Sequence, residues 1–216
     1  MKTALKHPEH FILSGSHGEP VWGCNQDWYP RNWQRRAGCG PTTATNLLIY
    51  HQRAGRIQLR DQLGTTDEAL DVMQQLWHHV KPTLRGVHTP GIFQFGLKRL
   101  LQEMARELDD AQIQLEPVSL LIPRQARLRP TLAQVTDFIA EGLAQDSPVA
   151  FLNLHNGSLK KLDRWHWVTL TSLDVRANTA EAEVCDNTNR FAIDLQAWYE
   201  TTLLGGGFVY LRTRPG

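Results

Sequence analysis

The chain has 216 residues, of which 41% are hydrophobic and 21% are charged, as is typical of a soluble globular protein. Its 23 lysine and arginine residues nearly balance its 22 aspartate and glutamate residues, leaving a net charge of +1. This balance argues against nucleic acid or an anionic membrane surface as a partner, and no apolar run is long enough to span a bilayer.

The N-terminal segment lacks the features of a secretory signal. Residues 7–10 (HPEH) interrupt the apolar run that such a signal requires. The chain contains three cysteines, Cys24, Cys39 and Cys185. A small odd number of cysteines without a signal predicts free thiols in a reducing compartment, so we expect a cytoplasmic location.

The first part of the chain predicts a loop layer followed by helices. Residues 1–38 are rich in glycine, proline, tryptophan and histidine and show no sustained periodicity. Residues 41–54 have apolar side chains at helical spacing, and Gly55 is a suitable stop. A second helix is predicted over 66–79, with Thr66 as its N-cap.

The remaining elements change in character at Pro148. A third helix is predicted after residues 89–91, a strand over 111–122 and a fourth helix over 131–144. Beyond Pro148 come short β-branched or aromatic segments separated by turn residues, which predict an antiparallel sheet. These segments are 149–154, 165–173, 180–186, 190–195 and 206–212, with a short helix over 195–204.

This order of elements predicts an α+β protein with two layers. We expect a single domain over residues 1–216, with a mainly helical half over 1–147 and a sheet half over 148–216. Neither half has the pattern of a unit that buries a core alone.

Cys39 lies in an unusual setting for a packed side chain. The segment 38–48 (GCGPTTATNLL) places it between two glycines at the start of a predicted helix. The N–H groups at a helix N-terminus stabilise a thiolate, and the Cys39 N–H can donate to a substrate oxyanion. The glycines are expected to keep the sulfur open to a carbonyl group. We interpret Cys39 as a nucleophile, and Cys24 and Cys185 as buried core residues.

A general base and a group that orients it are also present. Among nine histidines, His166 lies within a strong strand pattern between Trp165 and Trp167. Asp186 ends the next predicted strand, and adjacent antiparallel strands can bring its carboxylate beside the imidazole. Asn187 is the rival orienting group, because an amide can also fill this role.

The segments GCGPTTATNLL, WHWVTLTS and EVCDNT, in that order, resemble those of papain-like cysteine peptidases. The resemblance is closest to the bacteriocin-leader (double-glycine) peptidases and their stand-alone bacterial relatives, and it extends from about Trp22 to the last strand. It implies Cys39 as nucleophile, His166 as general base and Asp186 as orienting acid. It also implies a papain-like fold, in which a central helix carries the cysteine at its N-terminus and packs on the C-terminal antiparallel sheet.

The resemblance further implies a glutamine that donates to the oxyanion. Gln26, in the segment GCNQDW, matches the stand-alone relatives, and Gln34 is the alternative nearer to Cys39 in sequence. Two positions depart from the family pattern. Trp165 replaces a glycine before the histidine, and Asn187 replaces a proline after the aspartate.

These residues lead to one principal function and two alternatives. We expect a cysteine peptidase or amidohydrolase that cleaves a peptide or amide substrate through an acyl-enzyme. The alternatives are an acyl- or peptidyl-transferase and a catalytically silent binding module. No cofactor is expected, and no metal site, since no Cys-x-x-Cys or His-x-x-x-His pair is present.

Overall fold

The structure is a computed structural model that describes residues 1–58, 63–107 and 115–213. No helix in this part of the chain combines the length and the hydrophobicity that crossing a bilayer requires. The α-helices are α1 (Asn32–Ala37), α2 (Cys39–Arg53), α3 (Thr66–His79), α4 (Pro90–Glu107), α5 (Leu132–Ala144) and α6 (Leu195–Thr201). The strands are β1 (Lys2–Ala4), β2 (Ile12–Ser14), β3 (Pro20–Trp22), β4 (Leu115–Ile122), β5 (Val149–Asn153), β6 (His166–Arg176), β7 (Thr179–Asp186), β8 (Asn189–Asp194) and β9 (Gly206–Thr213).

Local capping explains where helix α3 begins. The side chain of Thr65 accepts a hydrogen bond from the Glu68 backbone N–H, and the Glu68 carboxylate accepts one from the Thr65 backbone N–H. This reciprocal pair is a capping box. The prediction that Thr66 is the cap is therefore wrong by one residue.

Helix α2 begins earlier than its sequence pattern predicts. Its first residue is Cys39, two positions before the predicted start at Pro41. Its C-terminal end agrees with the prediction, because Gly55 has a φ of 68°, a left-handed conformation that glycine adopts readily.

Six strands of the main sheet follow the order β4-β9-β5-β6-β7-β8, and β1 adds a seventh strand by pairing with β6. Every pair is antiparallel. The mainly helical half therefore contributes two strands, β1 and β4. Strands β2 and β3 form a separate hairpin within the segment predicted to be a loop layer. The first residues of the predicted strand 111–122, up to 114, lie outside the described residues.

Helices cover both faces of this sheet. Along β5, Val149 and Phe151 pack in the core that includes α5, whereas Ala150 and Leu152 pack in the core that includes α2, α3 and α4. The expectation of two layers is thus wrong, because α5 and α6 form a third. Burial on both faces also explains why the first four residues of β5, 149–152, are all apolar.

Candidate active site

Cys39 begins helix α2 and is only 8% exposed. A single residue, Gly38, separates it from the end of α1 at Ala37. The Gly38 carbonyl accepts a hydrogen bond from the Thr42 N–H at 2.9 Å, as expected for a residue that caps a helix. The Cys39 Sγ therefore lies at the positive end of α2, where a negative charge is stabilised.

The two glycines beside Cys39 are explained by close packing. A Cβ at Gly38 would lie 2.4 Å from the carbonyl oxygen of Gln34, and one at Gly40 would lie 2.7 Å from a methyl group of Val87. The expectation that the glycines keep this region open is therefore wrong. They allow α1 and the segment around Val87 to approach the start of α2.

His166 and Asp186 lie at the same end of the sheet, because β6 begins at His166 and the antiparallel strand β7 ends at Asp186. The His166 Nε2 and Asp186 Oδ1 atoms are 2.7 Å apart, and the side chains are 7% and 14% exposed. Cys39 borders the same small cavity as His166 and Asp186. With Nε2 bonded to the carboxylate, Nδ1 is the ring nitrogen available to the sulfur.

The surroundings of His166 favour its protonated form. Burial alone lowers the pKa of an imidazole, but the hydrogen bond to Asp186 and the interaction with the nearby Cys39 raise the pKa of His166 to about 10. An imidazolium beside a sulfur atom favours the thiolate, which is the nucleophilic form.

Gln26 lies beside these residues, and Gln34 does not. Gln26 begins a 3₁₀ helix (Gln26–Trp28) and borders a small cavity with Cys39, His166 and Asp186. Its Oε1 is buried without a hydrogen-bond partner, and its Nε2 has none among the described residues. Gln34 lies on α1 and borders neither cavity beside Cys39.

Asn187 contacts Gln26 rather than His166. Its Oδ1 accepts a hydrogen bond from the Gln26 backbone N–H at 3.1 Å. Asn187 and Thr188 have φ values of 43° and 70° and connect the paired residues Asp186 and Asn189. This is the geometry of a two-residue type I′ turn, in which asparagine is favoured. The turn thus directs the carboxylate to the imidazole and the amide to the Gln26 backbone.

Comparison with solved structures identifies a similar chain. UfSP from C. elegans matches with a TM-score of 0.53 at 11% sequence identity, and the match covers 100% of this chain and 34% of that chain. The fold is papain-like. No family model matches the sequence, and no curated protein matches it. The likeness to UfSP supports the papain-like fold but not the narrower resemblance to double-glycine peptidases.

Sequence reasoning missed Asn46, which supports this candidate site from inside helix α2. Its Oδ1 accepts from the Cys24 N–H at 2.8 Å, and its Nδ2 donates to the Thr169 Oγ1 at 3.2 Å. Asn46 therefore joins the segment before Gln26 to β6. The sequence spacing indicates this position, because Asn46 follows Cys39 by seven residues, or two helical turns, and so lies on the same side of the helix.

The other two cysteines also border the small cavity but have different surroundings. All three cysteines are free. Burial raises the pKa of Cys24 well above its ordinary value and raises that of Cys185 to about 12. Both are therefore protonated, poorly reactive thiols at neutral pH, in contrast to a cysteine beside an imidazolium.

One group of potential metal ligands occurs among the described residues. His7, Glu9 and His10 lie around a 3₁₀ helix (Pro8–Phe11), with their candidate ligand atoms within 4.8 Å of one another. The expectation of no metal site rested on the absence of Cys-x-x-Cys and His-x-x-x-His pairs, and this group has neither spacing. None of the three borders the cavities beside Cys39.

Proposed function

We propose that this protein is a cysteine peptidase that cleaves a peptide or amide bond with Cys39, His166, Asp186 and Gln26. One observation carries the proposal: the His166 side chain hydrogen-bonds to Asp186 beside the small cavity that Cys39 also borders, at the N-terminus of α2. A nucleophile, a base and a group that orients the base are the minimum set for acyl transfer.

In the first step, the Cys39 thiolate attacks the carbonyl carbon of the substrate. A carbon–sulfur bond forms, and the carbonyl π electrons move to the oxygen. The resulting oxyanion accepts hydrogen bonds from the Cys39 backbone N–H and the Gln26 Nε2. His166 Nδ1 then donates its proton to the leaving nitrogen as the carbon–nitrogen bond breaks, which leaves a thioester on Cys39.

In the second step, water replaces the amine. The neutral His166 accepts a proton from water through Nδ1, and the oxygen attacks the thioester carbon. The carbon–sulfur bond then breaks, which releases a carboxylic acid and restores the thiolate–imidazolium pair. Asp186 holds the ring orientation through Nε2 in both steps.

The papain-like fold supports this proposal without deciding it, since one fold serves many functions. The structural neighbour UfSP is a papain-like cysteine protease. The chain's own residues are the stronger support, because a site with no catalytic role has no need of this constellation. We also propose a reducing, cytoplasmic location, which the three free thiols support.

The first test is the pH dependence of Cys39 alkylation by iodoacetamide, read by peptide mass spectrometry. We expect rapid labelling at pH 6 in the wild-type chain and at least tenfold slower labelling in His166→Ala, because the imidazolium that stabilises the thiolate is lost. Cys185→Ala is the control and is expected to label like wild type. Identical pH profiles in wild type and His166→Ala would contradict the proposal.

The second test is cleavage of a complex peptide mixture, with products identified by mass spectrometry. We expect cleavage by wild type and none by Cys39→Ala, with the two chains unfolding at similar temperatures. Equal cleavage by both chains would exclude Cys39 as the nucleophile. Added glycinamide distinguishes the two acyl-enzyme outcomes, since a transferase forms a new amide where a hydrolase releases an acid.

A further inference from the structure

A cleft of about 420 Å³ opens beside Cys39. Its walls come from α1, from the turn around residues 84–87, from the end of β5 and from Trp165. Most of the lining is apolar or aromatic, and Leu84 and Trp165 are exposed by 95% and 49%. Exposed apolar side chains around a nucleophile are typical of a surface that binds a substrate chain.

Two arginines, Arg36 and Arg85, also line the cleft. Neither guanidinium has a hydrogen bond or an ion pair with any described residue. The neighbouring Arg35 differs, because its Nε donates to the Tyr29 carbonyl at 2.6 Å. No aspartate or glutamate lines the cleft, so its charged side chains are of one sign.

Arg85 is held in place by a defined turn. The backbone groups of Thr83 and Gly86 exchange hydrogen bonds of 3.1 and 2.9 Å, and Gly86 has a φ of 69°. The next residue, Val87, is fixed by a hydrogen bond of 2.5 Å from the Trp167 Nε1 to its carbonyl. The turn therefore presents Arg85 from one side of the cleft, while α1 presents Arg36.

We propose, resting on the peptidase function above, that this cleft binds a substrate segment in which an apolar side chain lies beside a carboxylate. The apolar walls bind the side chain, and Arg36 and Arg85 bind the carboxylate. A guanidinium presents two parallel N–H donors that match a carboxylate, and a cleft of one charge sign concentrates ligands of the opposite sign. The carboxylate comes either from an acidic side chain or from the end of a peptide.

The first test measures peptide binding to Cys39→Ala, which binds without cleaving, by the fluorescence change of the cleft tryptophans. The probes are acetylated hexapeptide amides with one leucine and with glutamate or glutamine on either side of it. We expect the glutamate peptides to bind at least about fivefold more tightly than their glutamine counterparts. The preference should shrink in 0.5 M salt, because exposed charges are screened.

The two arginines are tested by single substitutions in the same Cys39→Ala chain. Arg36→Gln and Arg85→Gln should each reduce the glutamate preference severalfold. Arg127→Gln removes the same charge from an exposed position that does not line the cleft, and should leave the preference unchanged. The proposal would be overturned by no binding at all, by an unchanged carboxylate preference in both cleft variants, or by equal binding of glutamate and glutamine peptides together with equal binding of free and amidated C-termini.

A further pair of probes distinguishes the two sources of the carboxylate. Glutamine peptides are compared with a free or an amidated C-terminus. Tighter binding of the free acid alone indicates a site for a chain end, whereas tighter binding of amidated glutamate peptides indicates a site for an acidic side chain. Either result supports the cleft as a carboxylate site.

The intact chain provides a readout that separates this proposal from the peptidase function. Iodoacetate and iodoacetamide differ in charge and little in size, so the ratio of their rates at Cys39 reports the local charge. The ratio should fall about threefold in Arg36→Gln or Arg85→Gln and not in Arg127→Gln. Failure of both reagents to label Cys39 would count against the peptidase alone, and the binding measurements in Cys39→Ala would still decide the role of the cleft.

Discussion

Helix α2 has a histidine-containing network at each end, and the two networks have opposite effects. At its N-terminus, the hydrogen bond to Asp186 and the interaction with Cys39 outweigh burial and raise the pKa of His166 to about 10. At its C-terminus, burial lowers the pKa of His51 to about 3. One histidine is held as a cation and the other as a neutral side chain.

The difference lies in where the nearby carboxylate is directed. Asp186 accepts directly from His166 at 2.7 Å. Asp146 instead forms an ion pair with Arg56 at 2.8 Å and accepts a hydrogen bond from the Tyr50 hydroxyl. His51 contacts the Ser147 hydroxyl at 3.0 Å through Nε2 and the Arg56 Nη1 at 3.4 Å through Nδ1, and the Arg56 charge opposes its protonation further. Of these two buried histidines, the candidate base is therefore the one that a carboxylate contacts directly.

Replacing each histidine by alanine should give the largest difference in effect between the two ends of helix α2. His166→Ala should lower kcat/KM per folded molecule by about 10³-fold or more, because the base is lost. His51→Ala should lower the free energy of unfolding by about 2–4 kcal/mol and preserve kcat/KM per folded molecule, since it removes a fully buried side chain. Chemical denaturation and peptide cleavage measure the two effects.

Either of two results would contradict this contrast between His51 and His166. Loss of activity in His51→Ala at a temperature where the chain is folded would mean that the C-terminal network acts on the site. Near-wild-type kcat/KM per folded molecule in His166→Ala would mean that this histidine is a packed core residue and not the base.

Orientation of the base gives the next largest effect. Asp186→Asn should reduce kcat/KM by about 10²-fold, because an amide does not stabilise the imidazolium as a carboxylate does. Asn187→Gly keeps a residue that tolerates the positive φ but removes the hydrogen bond to the Gln26 N–H, so we expect a loss of about tenfold. A larger loss in Asn187→Gly than in Asp186→Asn would assign the orienting role to Asn187.

The sequence predicts which elements carry Cys39, His166 and Asp186 better than it predicts what packs around them. Each of the three stands at the end of an element, as the structure also places it, although the start of α2 lies two residues before the predicted one. The role of Gly40 was misjudged because its neighbour Val87 is 47 positions away in the chain. The third layer was missed for a similar reason: periodicity indicates that α5 has an apolar face, but not which face of the sheet that helix covers.

The two histidines should also give opposite pH dependences of stability. The pKa of His51 is lowered from 6.5 to about 3, so between these values the unfolded chain binds the additional proton. The free energy of unfolding should therefore fall as pH falls, by about 1.4 kcal/mol per pH unit. The pKa of His166 is raised to about 10, so its contribution is fully present below pH 6.5 and is lost as pH rises through 10.

Comparing wild type with variants in which glutamine replaces one histidine isolates the contribution of that histidine to the pH dependence of stability. Denaturant unfolding from pH 4 to 10 should show that His51→Gln flattens the acid side of the stability profile and that His166→Gln flattens the alkaline side. A profile for His51→Gln that parallels wild type below pH 6.5 would mean that His51 is not held neutral.

The smallest effect concerns the backbone that leads into His166. Trp165 has a φ of 57°, a conformation that costs a residue with a Cβ about 1 kcal/mol or more, and its carbonyl oxygen lies 4.0 Å from the Cys39 Sγ. This conformation gives a physical reason for the glycine that precedes the histidine in the family that the sequence resembles. Trp165→Gly should therefore be more stable than Trp165→Ala by about 1 kcal/mol in denaturant unfolding.

Trp33 provides the matched control, because it is equally exposed at 49% but lies in helix α1, where glycine should be the less stable replacement. If alanine were the better replacement at both positions, the left-handed backbone at Trp165 would be contradicted, and with it the explanation of how the chain turns into His166.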